Sequence, residues 1–394
     1  MSLRLTNPMR NANRFKLGLF SINADGGTAF TKVANRWRAD WTEIEKLVRI
    51  ADNAGIEFIL PIARWKGYGG ETRVRGASFE TLTHAAAIAA ITRRIAIFST
   101  VHVPLVHPVF AAKALMTIDH VSRGRAGLNI VCGWNQEEFD MFGHKQSEHD
   151  DRYKQGFEWL SIMLRIFSSE EPFDHHGDFY ELKQAIGAPG PIQNPRPVTL
   201  SAAFSPAGRR FAAVTSDYLF TSLRNFESAK SHIAEIRQLA ASAGRDVGLL
   251  TTTHVVCRET DAEAQRYYDH YAGEMADHAA VDIHQRKKDA HYGAVEPDAV
   301  KLERQRYAGG TGSYPLIGSP ETVAEKIVKI HELGFSGATL SFVNFNEELP
   351  YFVERVLPLL RQAGLREDDV EMSGILPPVS TAGAEETQRP GGFS

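Results

Sequence analysis

Along this chain of 394 residues, short apolar runs alternate with helix-like segments. The repeat is roughly 35–40 residues per pair, the length of a strand, a crossover helix and two loops, and it admits few folds. Strands are predicted over 15–20, 58–62, 95–100, the run between Gly124 and Gly133, 198–203, 218–221, 247–256 and 338–342. Helices are predicted over 41–54, 79–92, 108–120, 152–168, 207–214, 226–243, from about 262 onward, from Ser319, and over 349–363. The first of these shows the logic. Trp41, Ile44, Leu47, Val48 and Ala51 fall on one helical face, and Gly55 stops the helix as a left-handed cap. Ser319-Pro320-Glu321 opens another with a capping hydroxyl, a proline in the first turn and a carboxylate at the positive dipole end. Eight strands, seven of them followed directly by a helix, predict an α/β fold, a single (β/α)8 TIM barrel with insertions. Two doubly wound halves are the alternative. No G-x-G-x-x-G follows a strand and opens a helix, so neither half carries a dinucleotide fingerprint.

The remaining segments divide the chain. Residues 1–14 are polar and read as an N-terminal arm. The barrel fills 15–365, with insertions at about 64–78, 173–197 and 279–312. The first is glycine-rich. The second is rich in Gly and Pro and reads as a hairpin and loop. The third is charged and reads as a mobile insertion. Residues 366–394 form a polar tail, disordered over 380–394. A net charge of -4 gives no basic surface for nucleic acid. The 2 cysteines, Cys132 and Cys257, lack metal-ligand spacing and suit a reducing cytoplasm. Neither a secretory leader nor an apolar run of about 18 residues is visible, so a cytoplasmic protein off the membrane is expected.

In a barrel the chemistry belongs to residues at the C-terminal ends of strands. Asn129 stands inside an apolar strand, where an unpaired amide costs roughly 1–3 kcal/mol, so it either ties a neighbouring backbone or faces a polar ligand. Thr100 ends the preceding strand. Neither titrates near neutrality, so both suit hydrogen bonding better than proton abstraction. Ser205-Pro206-Ala207-Gly208-Arg209-Arg210, at a strand-to-helix junction, combines a hydroxyl, free helix N-terminal amides and cations, as a phosphate seat does. A plain N-cap beside surface arginines is the other reading. Arg152-Tyr153 places an arginine in a helix first turn, against the dipole, either for an anion or simply solvated. The histidines, among them His102, His107, His175 and His176, show no ligand spacing, so no metal is expected. Cys132 has no paired histidine and reads as an inert thiol. Without an acid–base pair, a cofactor is expected to supply the chemistry.

Several stretches resemble one family. Leu60 through Gly70 (LPIARWKGYGG), Thr117-Ile118-Asp119, Gly124-Arg125, the Asn129–Glu138 stretch and Gly177-Asp178-Phe179-Tyr180 are similar to the bacterial luciferase-like flavin monooxygenases. Within these the chain looks most like the branch that opens pyrimidine rings, with the sulfone monooxygenases somewhat further off. The resemblance runs from about 15 to 363. It implies a (β/α)8 barrel that takes reduced FMN from a separate flavin reductase, reacts it with O2, and forms homodimers or homotetramers. By motif match the FMN contacts fall on Ala63, Arg64, Asn129, Glu138, Arg152, Tyr153 and Ser205, the last three at the phosphate. The same match places Thr100 and Asn129 in catalysis, beside an apolar oxygen pocket walled by Leu60 and Trp134. The activity implied is oxidative cleavage of a small N-heterocycle or amide through a flavin peroxide, at flavin nitrogen-5 in the pyrimidine branch. A sulfone C–S monooxygenase, a flavin-degrading lyase with a second flavin as substrate, a deazaflavin-dependent dehydrogenase and a non-catalytic flavin-binding protein are the alternatives. His102 and His107 depart from the uracil-opening pattern. If they line the pocket, uracil itself is disfavoured.

Overall fold

The computed structural model describes residues 7–133, 135–144, 149–292 and 297–367; Trp134 and the 380–394 tail lie outside them. The strands are β1 (Lys16–Phe20), β2 (Phe58–Leu60), β3 (Ala96–His102), β4 (Ala126–Val131), β5 (Phe173–His176), β6 (Glu181–Ala185), β7 (Val198–Ala202), β8 (Tyr218–Thr221), β9 (Gly248–Cys257), β10 (Tyr314–Gly318) and β11 (Gly337–Leu340). Parallel pairing runs β1–β2–β3–β4–β7–β8–β9–β11 and returns to β1. This closed ring of eight strands is the (β/α)8 barrel that the alternation predicts.

Three details differ from expectation. β10 was not foreseen. It pairs with β9 alone, at an edge where Pro315 is tolerated because one side of the strand makes no ladder. The predicted final helix is two, Phe345–Arg355 and Leu357–Gln362; Pro358, with no N–H to give, stands in the first turn of the second. The 279–312 insertion, for which the sequence pattern assigned no secondary structure, contains two helices, His278–Tyr292 and Pro297–Gly310. The 173–197 excursion carries the expected hairpin, β5 paired antiparallel with β6.

Period-two alternation sorts each barrel strand into an outward and an inward row. Outward residues such as Leu17, Leu19, Ile97 and Leu128 pack on the helix layer. Inward residues Phe58, Leu60, Phe98, Leu200, Phe220 and Leu250 fill the barrel. Large rings fit because their neighbours are small: a Cβ on Gly127 would stand 2.7 Å from the Phe98 ring. Of the predicted arm, residues 7–14 are described, and they close the barrel's lower end. Met9 is buried in the interior cluster, its carbonyl accepts from the Tyr218 hydroxyl at 2.7 Å, and Asn7 Nδ2 donates to Gln193 Oε1 at 3.0 Å.

Several of the family-like motifs are scaffolding. Asp119 accepts from the Ile192 and Gln193 amides at 2.7 and 3.0 Å and so pins the excursion before β7. The Arg125 guanidinium is buried against carbonyls of Ala89, Thr92 and Ile95. Glu158 accepts from the Phe179 and Tyr180 amides at 3.0 and 2.9 Å, and a Cβ on Gly177 would overlap that carboxylate.

Candidate active site

A cavity of about 250 Å³ opens where the barrel strands end at their carboxyl termini. The inward rows continue into it. On β3, Phe98 lies in the core and Thr100 and His102 line the cavity; on β4 the paired partners are Gly127, Asn129 and Val131. Thr100 and Asn129 therefore stand side by side. The Thr100 hydroxyl donates to the Pro61 carbonyl at 2.5 Å and accepts from Asn129 Nδ2 at 3.1 Å. Its proton is committed to the backbone. Asn129 keeps more capacity: one amide hydrogen remains, and its Oδ1 is buried with no partner. An orphaned buried acceptor of this kind costs roughly 1–3 kcal/mol unless a ligand N–H or O–H meets it.

His102 is the residue that the sequence flagged without placing. It lies two positions beyond Thr100, so the same period-two rule that turns Thr100 inward turns His102 inward. It lines the cavity, its Nδ1 has no partner, and burial pushes its imidazole down to about 4. It is a neutral ring at physiological pH. His107 is elsewhere: exposed, it caps the helix Pro108–Ser122 by accepting from the Val109 amide at 3.3 Å.

The low value for His102 has a consequence for stability. Below its unfolded value of about 6.5 the unfolded chain takes a proton that the folded ring refuses. Stability is therefore full above about pH 6.5 and falls as pH drops toward 4. The loss is on the order of 2 kcal/mol by pH 5 for this one ring. His84 and His254, depressed by burial to about 4 and about 3, act in the same direction. Urea midpoints measured from pH 7 to 5 should fall, and His102→Leu should flatten part of the slope. A midpoint independent of pH over that range would contradict it.

One side of the cavity is hydroxyl-lined. Ser205 caps the helix Pro206–Thr215 by accepting from the Gly208 amide at 3.1 Å, and Tyr153 Oη lies 3.2 Å from Ser205 Oγ. The approach is tight: a Cβ on Gly208 would come within 2.7 Å of Tyr153 Oη. The cations foreseen beside this seat are not at it. Neither lines the cavity: Arg209 is taken up by Glu235 at 3.3 Å and the Phe204 carbonyl at 3.2 Å, and Arg210 is exposed. Arg152 is buried rather than solvated and donates to the Gly133 carbonyl, which fixes the turn leaving β4. Cys132 also borders the cavity, and burial pushes its thiol up to about 12, where it is inert at neutral pH.

Leu60, Ala63, Arg64, Thr100, Asn129, Tyr153 and Ser205 thus line one cavity, while Glu138 and Arg152 are not in its lining. Glu138 is buried and accepts from Arg64 at 3.0 Å and from the Trp65 and Lys66 amides at 2.9 and 3.3 Å. The insertions meet over the mouth. Thr72 gives its amide and hydroxyl to Asp277, each at 2.7 Å, and Tyr68 packs against His284 at 4.6 Å. Tyr68, Arg75, His284 and Thr311 line the cavity from there. Sequence reasoning did not single them out, because they come from long connections whose fold no local pattern specifies. Among the described residues no cluster of His, Cys, Asp and Glu could hold a metal ion, and no helix is long and apolar enough to cross a membrane.

Comparison with known proteins gives concordant results. The family model for luciferase-like monooxygenases matches residues 15–337. An FMNH(2)-dependent dimethylsulfone monooxygenase of Pseudomonas putida is 30% identical over 355 residues, 88% of this chain and 95% of that protein. The pyrimidine monooxygenase RutA of Acinetobacter baylyi is 28% identical over 356 residues, 88% of this chain and 94% of that one. Among solved structures, a riboflavin lyase superposes with a TM-score of 0.80 at 20% identity, covering 89% of this chain and 92% of its own. At that identity the likeness is one of fold.

Proposed function

The chain belongs to the luciferase-like monooxygenases, and on that footing we propose that it is a flavin-dependent monooxygenase that uses reduced FMN and O2 to cleave a small N-heterocycle or amide oxidatively. The observation that carries the proposal is the pairing of two kinds of surface in one cavity. One is a hydroxyl-lined helix N-terminus, the other the unpartnered Asn129 Oδ1 at the strand ends.

The residues present fit FMN. The paired Ser205 and Tyr153 hydroxyls and the Ala207 amide in the first turn of the helix Pro206–Thr215 offer donors to a phosphate, with the Arg152 guanidinium behind them. The unpaired Oδ1 of Asn129 offers an acceptor to a ring N–H. Ala63 and Arg64 line the wall between the strand ends and the mouth. Reduced FMN supplies the two electrons with which O2 is activated. The chain's own contribution is position and environment. Thr100, anchored on the Pro61 carbonyl, holds the Asn129 amide in one orientation. Asn129 then directs its remaining N–H to where negative charge develops on oxygen. Leu60 and Phe220 give the apolar wall that dioxygen favours, and Tyr68 with the segments around it excludes water from the mouth. His102, whose basicity burial lowers to about 4, is a weak base at neutral pH, and Cys132 stays protonated.

The chain lacks a dinucleotide fingerprint with which to reduce its own flavin, so a separate flavin reductase is the expected partner. A sulfone is the second substrate reading, favoured by the dimethylsulfone monooxygenase at 30% identity.

The test is turnover with enzymatically supplied FMNH2 under isotopically labelled dioxygen, over a panel of uracil, a cyclic amide and dimethyl sulfone. We expect one labelled oxygen atom in the product from an amide or heterocycle. Sulfinate from the sulfone alone, with the label in the trapped aldehyde because the sulfinate keeps both sulfone oxygens, would transfer the assignment to C–S cleavage. Failure to bind reduced FMN would overturn the proposal altogether.

A further inference from the structure

Arg75 is buried at the cavity wall without a carboxylate partner among the described residues. Its contacts are with neutral groups. Nε donates to the Gly27 carbonyl at 2.9 Å, one terminal nitrogen donates to Thr311 Oγ1 at 3.2 Å, and the guanidinium lies 5.7 Å from the Tyr68 ring centroid. Neighbouring charges do not compensate it. Glu138 is already held by Arg64 and two backbone amides, and Glu137 is shared by Lys66 and Lys287 at 2.8 and 3.0 Å. A buried guanidinium without an anion is costly, and hydrogen bonds to neutral oxygens do not require its charge.

The backbone around it is also constrained. Arg75 has φ 58° and Thr311 has φ 57°, left-handed values that side-chain-bearing residues seldom adopt and that a β-branched residue adopts least readily. Thr311 sits at a helix-end position that ordinarily takes glycine. Its hydroxyl donates to the Thr28 carbonyl at 2.7 Å and accepts from Arg75. Two strained residues from different insertions thus hold one guanidinium at the cavity. Such strain persists where the surroundings over-determine it, as at ligand clamps.

We propose that Arg75, oriented by Thr311, is a subsite for an anionic substituent of the substrate, a carboxylate or a sulfonate. The substrate class narrows accordingly to a heterocycle, amide or sulfone that carries such a group. This rests on the flavin monooxygenase reading, in which FMN takes its phosphate to Ser205 and Tyr153 and leaves Arg75 to the substrate. Electrostatics favours the assignment, because a planar fork in a water-poor site binds a carboxylate or sulfonate through charge-assisted bonds and discriminates against a neutral isostere.

The experiment uses FMN-loaded protein and two matched probe pairs, benzoate with benzamide and benzenesulfonate with methyl phenyl sulfone. Binding is read by calorimetry and by the flavin absorbance change. The anion of each pair should bind roughly tenfold or more tighter than its neutral partner, the scale of a charge-assisted hydrogen bond. Arg75→Gln should abolish the preference and leave FMN affinity unchanged, and Arg75→Lys should keep part of it. No preference in the wild-type protein overturns the proposal, whether both members bind equally or neither binds; that comparison stands even if Arg75→Gln fails to fold. Loss of FMN affinity in Arg75→Gln with riboflavin affinity intact also overturns it, by placing the cofactor's own phosphate at Arg75. If FMN fails to bind the wild-type chain, the flavin reading falls instead, and the same calorimetry on the flavin-free protein still judges the subsite.

Discussion

Asn129→Ala should lower product formed per reduced FMN consumed by about 10²-fold or more, the scale found when one preorganised donor to a developing oxyanion is removed. Thr100→Val should cost less, about tenfold, and Thr100→Ser very little. The order follows from the hydrogen bonds. Thr100 spends its proton on the Pro61 carbonyl at 2.5 Å and receives from Asn129 at 3.1 Å. It therefore acts through Asn129: valine frees the amide to rotate, whereas serine keeps both bonds. Of the pair, Asn129 is the one that retains an unspent donor, beside an acceptor with no partner. The measurement is single-turnover oxidation of protein-bound reduced FMN by stopped-flow, with product quantified and FMN affinity titrated in parallel. Affinity falling as far as turnover would reduce both residues to cofactor binding. Unchanged turnover in Asn129→Ala would favour a flavin-binding protein without catalysis.

The fold was legible because the barrel repeats one local rule. Each strand is an apolar run, most are followed by a helix, and caps such as Ser205 and Ser319 mark where helices begin. What escaped was set by tertiary context. β10 forms only because β9 offers an unpaired edge. The cavity was partly legible: Thr100, Asn129 and Ser205 end strands or open a helix, where position follows from pattern. His102 was within reach of the same reasoning, since inward residues recur every second position on β3. Arg75 and Thr311 were not. They stand 236 positions apart, on different insertions, and meet through a single hydrogen bond. Conversely, Arg125 and Asp119 read as motif residues but are spent on backbone carbonyls and amides of the scaffold. A motif residue's type does not say whether its polar atoms face a ligand or the chain itself; only an account of hydrogen bonds does.

Arg64→Met should destabilise the protein by about 3–5 kcal/mol, because it strands a buried carboxylate. Glu138 is fully buried and Arg64 nearly so, at 0% and 8% exposure. With the guanidinium gone, Glu138 keeps only the Trp65 and Lys66 amides, and its second oxygen already has no hydrogen-bond partner. Glu138→Gln should cost less, since an amide oxygen can still accept from Trp65 and the Arg64 guanidinium keeps its place over the Tyr68 ring at 5.2 Å. The double replacement Arg64→Met with Glu138→Leu should be less damaging than the two single losses added together, because no charge is left unpaired. Urea unfolding of the four proteins measures this, and strictly additive losses would mean that water reaches the pair. The effect extends to function through the backbone. Glu138 holds the start of the 64–78 segment, and that segment carries Tyr68 and Arg75 to the cavity. A chain with a loosened pair should therefore lose substrate discrimination at concentrations of urea where the barrel itself is still folded.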